Sequence, residues 1–195
     1  MSTKKPLSIP LSLSIERFYC KEVLKGILHS IVFHRTVSAT VPQENVISSL
    51  DIVSVKLSDP MIDQHIEEKV VEILSQVDLS ATKQMQVAVH FYEKKHKKSW
   101  FSTVTSKEDD SRWEEWIITI HLSRATTEKE QIMAKANLIQ SLQTLLMTIS
   151  LESGVKRDHI PPILNSEPFP FDITLHNGNE SSWGRLLTNF IPNSN

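Results

Sequence analysis

The sequence predicts a single α+β domain in which three main helices pack on a mainly antiparallel β-sheet. A length of 195 residues suits one domain with one hydrophobic core. Segments in which apolar residues occur at every second position are followed by segments in which they recur at every third or fourth position, as in a helix. The resulting order of strand, helix, strand, helix, hairpin, helix and strand is typical of helices laid against an antiparallel sheet.

The composition is that of an ordinary globular chain, with 39% hydrophobic residues, 23% charged residues and a net charge of −2. Nothing basic dominates, so no nucleic-acid partner is expected. Cys20 is the one cysteine, which predicts a buried structural thiol in a reducing setting, either the cytosol or the nucleus. We expect residues 1–195 to form one domain. Residues 1–10 are a candidate disordered N-terminal segment, and residues 155–195 form a distinct C-terminal segment.

The first half of the chain alternates between strand and helix patterns. Leu11 to Ile15 alternates with polar residues and predicts a strand, and the segment from Arg17 to about His34 has the period of an amphipathic helix. Residues 37–57 are expected to be irregular chain that leads into a strand. Asp59 followed by Pro60 is a strong start signal for a second helix.

Two further alternating segments, Met85 to Phe91 and Trp116 to Leu122, predict an antiparallel hairpin. The loop between them has roughly twenty residues, far more than a hairpin needs, and is therefore either functional or disordered. Phe169 to Leu175 is expected to add one more strand, and Ser182 is expected to cap a short last helix.

The third helix is predicted to be the longest. Thr127 with Glu130 three residues later forms a capping-box pattern, with Thr126 as the other candidate cap, and Gly154 is a candidate C-cap. The width of its apolar surface predicts a central helix that is covered on more than one side. The stripe consists of Ile132, Ala136, Ile139, Leu142, Leu145, Leu146 and Ile149, and Leu138 and Met147 extend it sideways.

Residues that could carry chemistry form no recognisable catalytic or metal-binding pattern. The four glycines make no phosphate-binding loop, and the histidines lack zinc-site spacing. His90 and His121 could face each other across the hairpin, which leaves a small hydrolase as an alternative hypothesis. Glu114 and Glu115 are neighbours on a strand and so should point to opposite faces. We therefore expect no enzyme activity, metal or cofactor.

The long loop is the most unusual part of the sequence. Trp100 and Phe101 stand side by side between a lysine-rich stretch and an acidic run. Two large exposed aromatic side chains favour a binding site. In one alternative they fold back onto the domain as a satellite cluster. In another the lysines contact an anionic membrane, although the neighbouring acidic residues offset their charge.

Several segments resemble the autophagy-related protein 101 family, which consists of HORMA-domain subunits of the autophagy-initiation kinase complex. Leu28 to Arg35 is similar to that family's first-helix signature, and Phe91 to Lys95 is similar to its hairpin strand. Trp113 to Trp116 resembles the return strand, and Trp100 with Phe101 resembles an exposed finger that recruits downstream autophagy factors. The resemblance extends over about residues 11–151.

The resemblance implies a HORMA-like adaptor that binds and stabilises the HORMA domain of autophagy-related protein 13. The expected location is the cytoplasm, with recruitment to the phagophore assembly site on starvation. Residues 155–195 would correspond to a seat-belt-like segment. The candidate partner interface lies on the third helix, although the sequence leaves core packing open for each of its residues. These residues are Met133, Asn137, Gln140, Thr144 and Met147. A HORMA adaptor of a checkpoint or chromosome pathway remains an alternative.

Overall fold

A computed structural model describes residues 5–36, 41–79, 81–93, 112–162 and 169–176. It contains two β-sheets and three long helices. The first strand, β1, covers Leu7–Glu16, and a short 3-10 turn leads into α1, Cys20–Arg35. Next come β2, Pro42–Ile47, and β3, Ile52–Leu57. The remaining elements are α2 (Pro60–Gln76), β4 (Gln84–Tyr92), β5 (Arg112–Ser123), α3 (Glu128–Val155) and β6 (Phe171–Leu175).

The main sheet has four strands in the order β1-β5-β4-β6. The β4–β5 and β4–β6 pairs are antiparallel, and the β1–β5 pair is parallel. The predicted α+β, HORMA-like arrangement of three helices on a mainly antiparallel sheet is therefore confirmed. β1 begins at Leu7, so the last part of the candidate disordered segment, residues 7–10, is strand.

One face of the sheet builds the core. On β1 the buried residues alternate with exposed Ser8, Pro10, Ser12 and Ser14, as the period-2 pattern predicts. The central strands contribute larger side chains to the same face, including Phe91 and Trp116, which are at most 1% exposed. The inward-facing residues of β1, β4 and β5 are Ile9, Leu11, Leu13, Ile15, Met85, Val87, Val89, Phe91, Trp116, Ile118 and Ile120.

The helices α2, α1 and α3 lie side by side, with α2 next to β6 and α3 next to β1. The buried side chains of α1 include Val23, Leu24 and Ile27. At the start of α2 the Asp59 carboxylate accepts hydrogen bonds from the backbone N–H groups of Met61 and Ile62, at 2.9 and 3.3 Å. The predicted cap with proline at the first helical position is confirmed.

The β2–β3 hairpin packs against α1 and was only half predicted. β3 was expected, but β2 lies in a segment that was expected to be irregular. Gly26 allows α1 and β2 to approach closely. A Cβ at this position would lie 2.6 Å from Cδ1 of Ile47, which is too close for a side chain larger than hydrogen. No helix in the described ranges is both long enough and apolar enough to cross a bilayer.

Candidate interaction surface

The capping box at the start of α3 fixes where this helix begins. The Thr127 hydroxyl accepts a hydrogen bond from the Glu130 backbone N–H at 3.2 Å, and the Glu130 carboxylate accepts one from the Thr127 N–H at 3.1 Å. The hydrogen bonds that this carboxylate accepts from the Thr126 N–H and hydroxyl, and then from the Thr127 N–H, lower the pKa of Glu130. Of the two candidate caps, Thr127 is thus the N-cap, and Thr126 adds two bonds to the same carboxylate.

Only one side of α3 is buried. Leu138, Leu142, Leu145 and Ile149 face the core and are at most 5% exposed. The expectation of a helix covered on more than one side is wrong for the described residues. In these residues, the elements in closest contact with α3 are β1, α1 and β3, and its outer flank remains exposed. Gly154 is also not the C-cap, because the helix continues to Val155 and Lys156 takes that position.

All five predicted interface residues lie on the outer flank of α3. Met133 and Met147 are 56% and 65% exposed, and Asn137, Gln140 and Thr144 are also exposed. Their spacing of four, three, four and three residues places them on one line along the helix. Gln140 and Met147 each lie two positions, or roughly half a turn, from the core residues before and after them. We call this line, with the apolar residues next to it, the outer face of α3.

The outer face is unusually apolar for a solvent-exposed helix surface. Besides the two methionines it presents Leu151 and Val155, which are 62% and 81% exposed, and Ile132 beside it is 65% exposed. Contiguous exposed apolar side chains are a feature of interaction surfaces. Methionine in particular adapts its flexible side chain to a partner.

A buried ionic cluster holds the C-terminal end of α3. The Arg35 Nε donates to the Glu114 carboxylate at 2.7 Å, and these two side chains are 2% and 0% exposed. The remaining guanidinium nitrogens donate to the Ser153 and Lys156 carbonyl oxygens at 3.0 and 3.4 Å. Arg35 thus satisfies carbonyl groups that the end of a helix leaves unpaired.

Glu114 has two more partners. Its carboxylate accepts a hydrogen bond from the Trp116 indole N–H at 2.5 Å, and it lies 2.6 Å from Nε2 of His159. The role of Glu114 was missed from the sequence, although a signal was present. Glu114 is in phase with Trp116 and Ile118, so the alternation places it on the buried face, where a carboxylate needs a cationic partner. That partner, Arg35, lies 79 residues away in the chain.

Trp100 and Phe101 lie outside the described residues, as does Ser182. The strands on either side of the loop are described. β4 ends at Tyr92 and β5 begins at Arg112, so the loop leaves and rejoins the sheet at one end. At this end Trp113 is an extra residue on β5, since Phe91 pairs with Glu114 and Tyr92 with Arg112.

The hypothesis of a catalytic pair formed by His90 and His121 is wrong. In the hairpin register His90 is opposite Glu115, and His121 is opposite Gln84, six positions away along β4. His90 is buried, lies 3.1 Å from an Arg112 nitrogen and 3.3 Å from the Thr174 hydroxyl, and has a pKa lowered mainly by burial. His121 is exposed near the far end of β5.

Cys20 is a buried free thiol, as predicted. Burial raises its pKa to about 11, and the nearby Arg17 offsets this only in part. The thiol is therefore protonated at neutral pH and is a poor nucleophile. It belongs to the core and not to a reactive site.

A family model described as autophagy-related protein 101 matches residues 12–167. The chain belongs to the autophagy-related protein 101 family. The autophagy-related protein 101 of Arabidopsis thaliana is 29% identical over 192 residues, covering 88% of this chain and 87% of that protein. The protein of the same name from Schizosaccharomyces pombe is 28% identical over 186 residues, covering 94% of each chain.

The part matched by the autophagy-related protein 101 family model contains both candidate surfaces and the buried cluster. It extends from β1 to beyond the end of α3, and so includes the outer face of α3, the Trp100-Phe101 pair and Glu114. This membership makes the chain an autophagy-related protein.

Proposed function

We propose that this chain is a non-enzymatic adaptor of autophagy initiation that binds the HORMA domain of autophagy-related protein 13 through the outer face of α3. The observation that carries this proposal is the row of exposed residues from Met133 to Met147, opposite the buried side of the same helix. A helix that is apolar on both sides has one side for its own core and one for another protein.

The outer face suits a stable heterodimer. Specific interfaces bury about 1,200–2,000 Å² in total, and a helix of 28 residues gives a long contact line. Asn137, Gln140 and Thr144 lie between the two methionines and supply polar groups that fix the register of a partner. Binding of this kind stabilises whichever partner is weaker alone, by mass action.

The test introduces two carboxylates on the outer face. The double variant Met133→Glu/Met147→Glu should weaken binding to the HORMA domain of autophagy-related protein 13 by about 2 kcal/mol or more, since both carboxylates would be desolvated in the interface. Titration calorimetry measures the affinity, and circular dichroism checks the fold. Met61→Glu is the matched control, because Met61 is 75% exposed but lies on α2. Unchanged affinity of the double variant would rule out this face.

We propose that Trp100 and Phe101 form a second surface that recruits downstream autophagy factors. The sequence supports this, because two adjacent aromatic residues stand in a long charged loop. The variant Trp100→Ala/Phe101→Ala should keep the unfolding midpoint and the HORMA complex while autophagosome formation falls. Phe18→Ala is the control, since Phe18 is 81% exposed in the 3-10 turn before α1. Loss of folding or of the HORMA partner in the double variant would contradict the proposal.

We further propose that the adaptor is cytoplasmic, joins the other subunits of the initiation complex, and collects at the phagophore assembly site on starvation. Any membrane contact would be peripheral. A fluorescently tagged chain should form puncta in starved cells, and the Met133→Glu/Met147→Glu variant should stay diffuse. Partners recovered from starved and fed cells would separate this role from that of a checkpoint or chromosome adaptor.

A further inference from the structure

The turn between β2 and β3 carries an exposed serine close to an acidic residue. This turn consists of residues 48–51. Ser48 is exposed, whereas Ser49 is half-buried and its hydroxyl oxygen is buried. Asp51 follows Ser48 by three positions and has a φ of 55°, a left-handed conformation that suits a tight turn. An accessible serine followed at this distance by a carboxylate fits a protein kinase whose substrate cleft is basic at that position.

Three hydroxyl residues of the described ranges have an acidic residue three positions later, and two of them are engaged at helix ends. These two are Ser75, whose hydroxyl donates to the Glu72 carbonyl at 2.6 Å in α2, and Thr127, the N-cap of α3. The third, Ser48, lies in a hairpin whose strands pair with no further strand in the described part of the chain. A two-stranded hairpin opens locally more readily than the main sheet, so Ser48 is the one best able to enter a kinase cleft.

The same turn is tied to α1 by one carboxylate. Glu22, in the first turn of α1, accepts hydrogen bonds from the backbone N–H groups of Ser48 and Ser49, the second at 3.1 Å. Desolvation opposes the charged form of Glu22, but hydrogen bonds from these two serines lower its pKa, so it is ionised at neutral pH. A phosphate on Ser48 would add a charge of about −1.5 to −2 next to this carboxylate. Its oxygens would repel Glu22 and compete for the same N–H groups.

We propose that Ser48 is a phosphorylation site for a protein kinase that selects an acidic residue three positions after its serine, and that the phosphate displaces Glu22 and so releases the hairpin turn from α1. In the transfer, the Ser48 Oγ forms a bond to the γ-phosphorus of ATP, and the bond from that phosphorus to the bridging oxygen of the departing ADP breaks. The hydroxyl proton passes to a carboxylate base of the kinase. The inference does not depend on which partner binds the outer face of α3.

Phosphorylation of the full-length chain tests the site. Casein kinase 2 with ATP serves as the acidophilic kinase, and tandem mass spectrometry locates the phosphate. The wild type should be modified at Ser48, and Ser49→Ala should keep this modification. Asp51→Asn should slow modification of Ser48 by at least about 10-fold, because it removes the recognised charge. Asparagine tolerates a positive φ, so this variant keeps the shape of the turn.

Hydrogen exchange tests the release of the turn. Phosphorylated wild type is compared with Ser48→Ala treated with the same kinase, so that any phosphate elsewhere in the chain is present in both. The amides of residues 46–53 should exchange about 10- to 100-fold faster in the phosphorylated wild type, as expected for lost hydrogen bonds to a charged group. The amides in the middle of α1 and β5 should keep their rates.

Glu22→Ala separates the effect of the phosphate on Glu22 from any other effect. Without phosphate this variant should already show faster exchange of residues 46–53, and phosphorylation should then add less than about threefold. Glu22→Gln takes its place if Glu22→Ala folds poorly, and it too should respond less to the phosphate than the wild type does.

The two parts of the inference fail on different results. The site is refuted if Ser48 stays unmodified, or if Asp51→Asn is modified at the wild-type rate. The release is refuted if residues 46–53 exchange equally in phosphorylated wild type and in treated Ser48→Ala. It is also refuted if phosphorylation speeds exchange as much in the Glu22 variant as in the wild type.

Discussion

Protonation of His29 should destabilise the domain in mildly acidic solution. His29 lies on α1, is 1% exposed, and its Nδ1 is 3.8 Å from Oδ1 of Asp63 on α2. Its Nε2 is buried and has no hydrogen-bond partner among the described residues. Burial lowers the pKa of His29 from 6.5 to about 4; the Asp63 carboxylate opposes this in part, whereas Lys25 adds to it.

The sign and the size of the effect follow from the two pKa values. In the unfolded chain His29 takes up a proton as the pH falls below about 6.5, whereas in the folded chain it does so only near 4. The unfolded state then binds more protons, so the folded state loses stability over this interval and loses no more below it. For these two values the loss between pH 7 and pH 5 is about 2 kcal/mol.

Urea unfolding at pH 7, 6 and 5 measures this loss when the wild type is compared with His29→Gln. The variant has a different stability at neutral pH, but its further loss down to pH 5 should be smaller by about 2 kcal/mol. Carboxylates such as Glu67 titrate in both proteins, so their contribution cancels in the comparison. Parallel curves for the two proteins would refute the assignment of this pH dependence to His29.

Three further predictions, the first with a control substitution, test the N-cap of α3, the packing of β6 and the ion pairs between α1 and α2. Thr127→Ala should lower the free energy of unfolding by about 1 kcal/mol because it removes the N-cap of α3. The control Thr148→Ala, in the interior of the same helix, should change this free energy little. Chemical denaturation measures both values. Ile173→Ala should destabilise the domain by about 3 kcal/mol through the cavity it leaves, and a loss below about 1 kcal/mol would show that β6 contributes little to the core. The two lysine partners of Glu67 on α1 lower its pKa to about 2. Because Glu67 is partly exposed, Glu67→Gln should lower the free energy of unfolding by less than about 1 kcal/mol, and by less still in high salt.

The elements that the sequence predicted well are those whose own pattern determines which side is buried. β1 alternates between buried and exposed residues, β4 and β5 carry large apolar residues at every second position over Met85–Phe91 and Trp116–Leu122, and α2 has both a cap and a regular apolar face. β2 has no such pattern. Its residues before Val46 are polar or proline and mostly exposed, and Ile47 is its only buried residue. The strand exists because β3 and α1 offer it partners, and this is tertiary information that a local pattern does not contain.

The buried cluster was missed for a related reason. Glu114 stands beside Glu115 in the sequence, and neighbouring carboxylates on a strand are usually solvated. Only the fold brings Arg35 and His159 to Glu114, from 79 and 45 residues away. Arg35 lies in the last turn of α1, where a positive charge complements the helix dipole. Its guanidinium also reaches a second helix, because it donates hydrogen bonds to carbonyl groups at the end of α3.

The long helix α3 shows why a sequence pattern predicts folding more readily than binding. Burial in a core and burial under a partner both require apolar side chains at helical spacing, so α3 reads as a helix covered on several sides. In the structure Leu138, Leu142 and Leu145 are buried in the core of this chain, whereas Met133 and Met147 are exposed on the surface of α3. If the outer apolar residues served only the fold of this chain, charge at Met133 and Met147 would change its stability and not its complexes. A change in the complexes alone would mean that the width of the apolar surface in the sequence reflects a second protein.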